Sequence, residues 1–129
     1  MHTNHTVGDW VVCHKVEERG WPEKRLEVLW PKNVSKPMGA RVWLIAGEKA
    51  KPTYRYYLSQ WFVVDKTVPD AGRVVASGGT GKYLESRPGL DQEPWFAGFR
   101  KEKGNFKFGI SPISDAAVIR SLEKIAGLP

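Results

Sequence analysis

From Asp9 to Ile110 the sequence is a succession of short, strand-sized apolar stretches cut by prolines and glycines, and only its end carries a sustained helical period. Short apolar runs rich in β-branched and aromatic residues, bounded by turn formers, read as strands, whereas a helix shows repeated three- and four-residue spacing. Strands are therefore predicted at residues 9–14, 40–46, 73–77 and 106–110. Residues 53–67 are too long for one flat strand and read as one strongly bent strand, or as two strands meeting near Ser59 and Gln60. Residues 116–126 form the clearest element. Val118, Leu122 and Ile125 recur at i, i+4 and i+7, Ser114 or Asp115 supplies the N-cap, and Gly127 stops the helix. A short helix is predicted at 23–29, where Pro22 precedes Leu26 and Leu29 three apart. Residues 30–39 read as an ordered loop, 47–52 as a turn and 78–92 as an exposed excursion. The sum is a single α+β domain over residues 1–129: a small, bent, mostly antiparallel β-barrel with a C-terminal helix and one or two short helices.

A chain of 129 residues suits one hydrophobic core. No apolar run approaches the roughly 18–20 residues that span a bilayer, so no membrane partner is expected. The first seven residues lack the basic and apolar regions of a signal peptide, and a single cysteine, Cys13, suits a reducing compartment; the expectation is cytoplasmic. A net charge of +6 favours polyanionic partners. Six tryptophans fill cores, but their flat faces also make stacking platforms for bases.

The glycine-rich stretch 76–82 (Ala-Ser-Gly-Gly-Thr-Gly-Lys) fails as a phosphate loop, because Ala76 replaces the first glycine and Tyr83 the magnesium-binding hydroxyl residue. It reads as a turn. His2, His5, Cys13 and His14 are metal-ligand types without metal-site spacing, so no metal or other cofactor is expected. Cys13 and His14 point to opposite faces of a strand and cannot form a dyad. No nucleophile, base and orienting group come together in the sequence, and the chain is read as non-catalytic. Residues 95–108 are more specific: Trp95, Phe96, Phe99, Phe106 and Phe108 interleave with Arg100, Lys101, Lys103 and Lys107. Cations hold phosphates and rings stack bases, as single-stranded recognition requires. Simple alternation supports the competing reading, in which Phe106 and Phe108 face the core and Lys107 faces water.

Residues 105–115 (Asn-Phe-Lys-Phe-Gly-Ile-Ser-Pro-Ile-Ser-Asp), followed by an amphipathic helix, resemble the close of EVE domains. Leu29-Trp-Pro-Lys-Asn33, then Pro37-Met-Gly39 and Arg41-Val-Trp-Leu-Ile45, is similar to the EVE stretch in which a Trp and an Asn precede a turn and a buried strand. Asp9-Trp-Val-Val12 is similar to the first strand of that family. His14-Lys-Val-Glu-Glu18 lacks the family's Lys–Ser–Glu–Pro run, and Ala40 stands where an acidic residue is usual. The resemblance covers about half the chain and extends to the wider PUA-like group, β-barrels that bind nucleic acid, RNA or DNA. It implies that Trp30 stacks on a modified or flipped base and Asn33 reads its edge, with Trp10 or Trp43 as a second wall. Arg100, Lys101, Lys103 and Lys107 would hold the backbone. The alternative is a domain that binds a peptide or small molecule, with the charge serving solubility.

Overall fold

Burial on both faces of two neighbouring strands organises the molecule. The computed structural model describes residues 8–32, 34, 36–50, 52–106 and 109–129. Strands β1 (Asp9–Lys15) and β3 (Arg41–Ala50) pair in parallel and sit at the middle of a five-stranded sheet. Beside β3 runs β4 (Thr53–Val63), antiparallel, and then β7 (Thr80–Tyr83); beside β1 lies β8 (Ser111–Ile113). A second sheet holds three antiparallel strands in the order β2 (Glu27–Pro31), β6 (Arg73–Ser77), β5 (Lys66–Asp70). The helices are α1 (Val16–Arg19), α2 (Phe96–Glu102) and α3 (Ala116–Ile125). The protein is therefore α+β and mostly antiparallel, as expected, but its described strands form two sheets, and the small bent barrel of the sequence reading does not close among them. Among the described residues, no helix is long and apolar enough to cross a membrane.

The two faces of the large sheet bury different layers. Val11, Trp43, Ile45, Tyr56 and Leu58 pack with Phe96 and Phe99 of α2 and Val118 and Leu122 of α3. Their neighbours Trp10, Val42, Leu44 and Phe62 pack with Val28, Trp30 and Ala76 of the small sheet. Adjacent residues of an extended strand point to opposite faces, so Trp10 and Val11 necessarily enter different clusters. The bend expected near Ser59 and Gln60 is a β-bulge: Ile45 pairs with Leu58 but Leu44 with Gln60, leaving Ser59 as the extra residue. That one residue reverses the phase of β4. Tyr56 and Leu58 face the helices, while Phe62, of the same parity, faces the small sheet.

Three sequence expectations need correction. Residues 27–31 form a strand rather than the end of a helix over 23–29, because Val28 and Trp30 alternate into the core and β6 is there to pair with them. The early helix is α1 instead. Residues 78–92 are not an exposed excursion: β7 pairs with β4, Leu84 and Leu90 are buried, and their N–H groups bond to Ser59 and Tyr56 carbonyls at 2.8 and 2.9 Å. Two leucines six residues apart carry this burial, too sparse a pattern to read as an apolar run. Of the strand expected at 106–110, Lys107 and Phe108 lie outside the described residues; Gly104–Phe106 form a short 3-10 turn in which Asn105 and Phe106 take left-handed φ values of 56° and 62°, and the strand β8 begins only at Ser111. In addition β3 runs on to Ala50 through residues read as a turn. Strand β1, strand β6 and α3 stand where the sequence puts them, and Asp115 caps α3 by accepting from the Ala117 N–H at 2.9 Å.

The glycine-rich stretch is a corner between the sheets. At Gly78 an added Cβ would lie 1.7 Å from the Val63 carbonyl oxygen, so only glycine lets β6 hand over to β7 there. Asp65 fastens the corner: its N–H donates to the Ser77 carbonyl at 2.9 Å, and its carboxylate accepts from the Gly79 N–H at 3.1 Å.

Candidate functional site

The C-terminal half of β1 separates two cavities. Val12 and His14 point to the small-sheet side and line a cleft of about 560 Å³, together with Leu44, Gln60 and residues of α1, β2 and β6. Tyr54, Tyr56, Gly47 and Arg100 line a smaller cavity of about 310 Å³ on the helix side. Both volumes fall in the range of small-ligand sites. Cys13 and Lys15 border both.

The cleft has an apolar floor and a charged rim. Lys15, Arg19, Arg25 and Arg73 bring four cations to it, with Glu18, Glu23 and Glu27 interspersed. Among the described residues none of these four cations is in an ion pair; the pairs join Lys24 to Glu85, and Arg41 to Asp9 and Glu123. Gln60 is only 1% exposed. Its amide donates to the Arg25 carbonyl at 2.7 Å and accepts from the Ser59 hydroxyl at 3.0 Å. A primary amide carries two donors and two lone pairs, so one of each is left for a group entering the cleft. His14 donates through Nε2–H to the Gly20 carbonyl at 2.8 Å, and burial holds its pKa below the usual histidine value, so the ring is neutral at pH 7. Burial pushes the Cys13 thiol up to about 12, which leaves it protonated and a poor nucleophile. Among the described residues no three His, Cys, Asp or Glu side chains gather as a metal site; His2 and His5 lie outside those residues.

The residues singled out from the sequence do not form one site. Trp30 and Trp10 are buried between the sheets, ring centroids 5.0 Å apart and edge-on. Trp43 is buried on the opposite face, donating to Asp9 at 2.9 Å with the Arg41 guanidinium 5.0 Å from its ring. These three are core residues in this arrangement, and none offers an open ring face to a base. Asn33 and Lys107 lie outside the described residues. Phe96, Phe99 and Phe106 turn inward and form an aromatic cluster with Tyr56 and Trp95, so the described aromatic residues of the 95–108 pattern build core, while Phe108 lies outside the described residues. Its basic half stays outside or at the edge: Lys101 is exposed, the Lys103 ammonium donates to the Pro112 carbonyl at 2.5 Å, and Arg100 lines the smaller cavity.

Sequence reasoning missed the cleft cations because they come from four separate segments that only the fold assembles. It also missed Trp21, which belongs to neither core cluster. The half-exposed Trp21 ring meets Tyr57 edge-on at 5.6 Å and carries the Arg87 guanidinium 3.8 Å from its centroid. Two signals were readable: Trp21 stands outside any strand-like run, and Gln60 is a polar residue inside an apolar one. Comparison of the chain with protein-family models, with curated proteins and with solved structures finds no match.

Proposed function

We propose that this protein is a non-catalytic nucleic-acid-binding module of PUA-like, EVE-type ancestry, and that its binding site is the cleft between the two sheets. The observation that carries this reading is the ring of four unpaired cations, Lys15, Arg19, Arg25 and Arg73, around an apolar floor with the Gln60 amide in it. Cations at a rim hold phosphates, while a floor that joins apolar surface to one amide donor and one acceptor suits a base turned inward. The half-exposed Trp21–Tyr57 pair adds ring surface beside Pro22, which lines the cleft. The base-reading role passes from the buried tryptophans to the cleft floor.

Titration of labelled mixed-sequence RNA and DNA oligonucleotides at several salt concentrations tests the reading. Log affinity is expected to fall linearly with log salt, and Arg25→Ala and Arg73→Ala each lower that slope by about one unit while weakening all sequences alike. A salt-independent affinity, or no binding at low salt, overturns it in favour of a peptide or small-molecule domain.

A further inference from the structure

We propose that the smaller cavity, on the helix face of the large sheet, is a binding site for a small oxyanion, a carboxylate or a phosphate, with Arg100 as its principal cation. This does not rest on the nucleic-acid reading, since the cavity lies across the sheet from the cleft.

Charge is the first argument. The cavity of about 310 Å³ is bordered by two cations, Arg100 and Lys15, by Tyr54, Tyr56, Asn105 and Cys13, and, among the described residues, by no carboxylate. Two acids touch its wall and both are engaged: Glu17 accepts from the Tyr54 hydroxyl, and Asp91 accepts from the Tyr56 backbone N–H at 2.8 Å. Neither makes an ion pair with Arg100. The lining itself thus presents two cations and, among the described residues, no carboxylate, in a partly enclosed volume where water screens charge less than at an open surface.

The state of Arg100 is the second. Its side chain is half-buried, and its Nε is buried without an acceptor among the described residues. A guanidinium removed from water is ordinarily matched by a carboxylate or phosphate across its fork of donors. Here its compensation is Tyr56, whose hydroxyl accepts a hydrogen bond from the guanidinium and whose ring lies 5.5 Å from the guanidinium carbon, and its place in the last turn of α2, near the negative end of the helix dipole. Neither supplies a formal negative charge. An oxyanion entering the cavity supplies that charge to the guanidinium and meets the Lys15 ammonium and the Asn105 amide as further donors.

Room is the third. Gly47 forms part of the wall, and a Cβ there would stand 3.1 Å from the Tyr56 ring and 3.5 Å from the Cys13 sulfur. Space for a small anion thus exists partly because position 47 has no side chain.

The test is a pair of NMR titrations of the intact chain, one with sodium acetate and one with sodium phosphate, at ionic strength held constant with chloride. Saturable shifts at the Gly47 and Asn105 amides and at the Arg100 Nε–H are expected, with millimolar Kd. In Arg100→Gln the Kd rises by at least about tenfold, the loss expected for a hydrogen bond to a charged group. Saturation by one anion alone supports the proposal and names the group: phosphate for a phosphoryl ligand, acetate for a carboxylate. Should Arg100→Gln fail to fold, Lys15→Gln, at an exposed strand position, is expected to weaken binding in the same direction. Shifts that never saturate, that map to His14, Arg25 and Arg73 instead, or that persist unweakened in the folded variants overturn the proposal.

Discussion

The two faces of the five-stranded sheet are built on different plans. On one face two helices, α2 and α3, the segment around Leu84 and Leu90 and a cluster of phenylalanines cover the sheet, and the cavity left beside Tyr56 is small and lined, among the described residues, by cations without acids. On the other face a three-stranded sheet covers Trp10, Val42, Leu44 and Phe62 and part of Val12, and the end of β1 beyond them opens into the larger cleft of mixed charge. Helices close a sheet face with long side chains from several turns. A narrow second sheet closes only the length it spans and leaves an open end. In this protein the place where cover runs out is where ligand-sized space begins.

Truncating the core of each face gives the sharpest test of that contrast. Trp30→Ala on the small-sheet side is expected to cost about 3–5 kcal/mol, and Leu122→Ala on the helix side about 2–5 kcal/mol, both read as lowered melting temperatures. The residues are 1% and 0% exposed, so an unchanged melt for either would show that its layer is not packed on the sheet.

Gly78→Ala tests the corner that joins the two sheets. The new Cβ meets the Val63 carbonyl oxygen of β4, backbone with little freedom to yield. A loss of about 1–3 kcal/mol is expected, as for overpacking generally. Gly89→Ala, where an added Cβ meets nothing within 4 Å, serves as the control, and equal melts for the two variants would remove the corner's strict requirement for glycine.

The smallest effect concerns pH and belongs to the cleft side. The folded pKa of His14 lies below its ordinary value of 6.5, mainly through burial, so the unfolded chain takes up a proton more readily than the folded one. Stability linked to the neutral ring is present above pH 6.5 and is lost as pH falls from there through the lower folded value. Melts between neutral and mildly acidic pH should show this decline, and His14→Gln should flatten it. A variant with the wild-type slope would move the titration elsewhere.

Much of this architecture was legible along the chain because it depends on local periodicity. The cap at Asp115 with Val118 and Leu122 at helical spacing specified α3, and the β-branched and aromatic runs specified β1, β3 and β6. The unusual length of the run after Thr53, with a polar pair in its middle, located the bend in β4. The exclusion of a phosphate loop at residues 76–82 also rested on residue identity alone. Partnership was not legible. Whether residues 27–31 became helix or strand depended on β6, more than forty positions away, and whether the Trp30 ring faced a ligand or Trp10 depended on how the two sheets stack.

Strand β4 shows the division most clearly. Its sequence alternates without a break through Tyr56, Leu58, Gln60 and Phe62, which by itself places all four on one face. The extra residue at the bulge sends the first two to the helices and the last two to the small sheet. Local sequence determined which residues were apolar and at what spacing, because rotamer preference, capping and alternation act within a few residues. Tertiary structure decided which face each apolar set serves, which tryptophans are core, and which cations meet at the cleft. Those outcomes depend on burial against partners distant in sequence, and a one-residue shift of register reverses them at no cost visible in the local pattern.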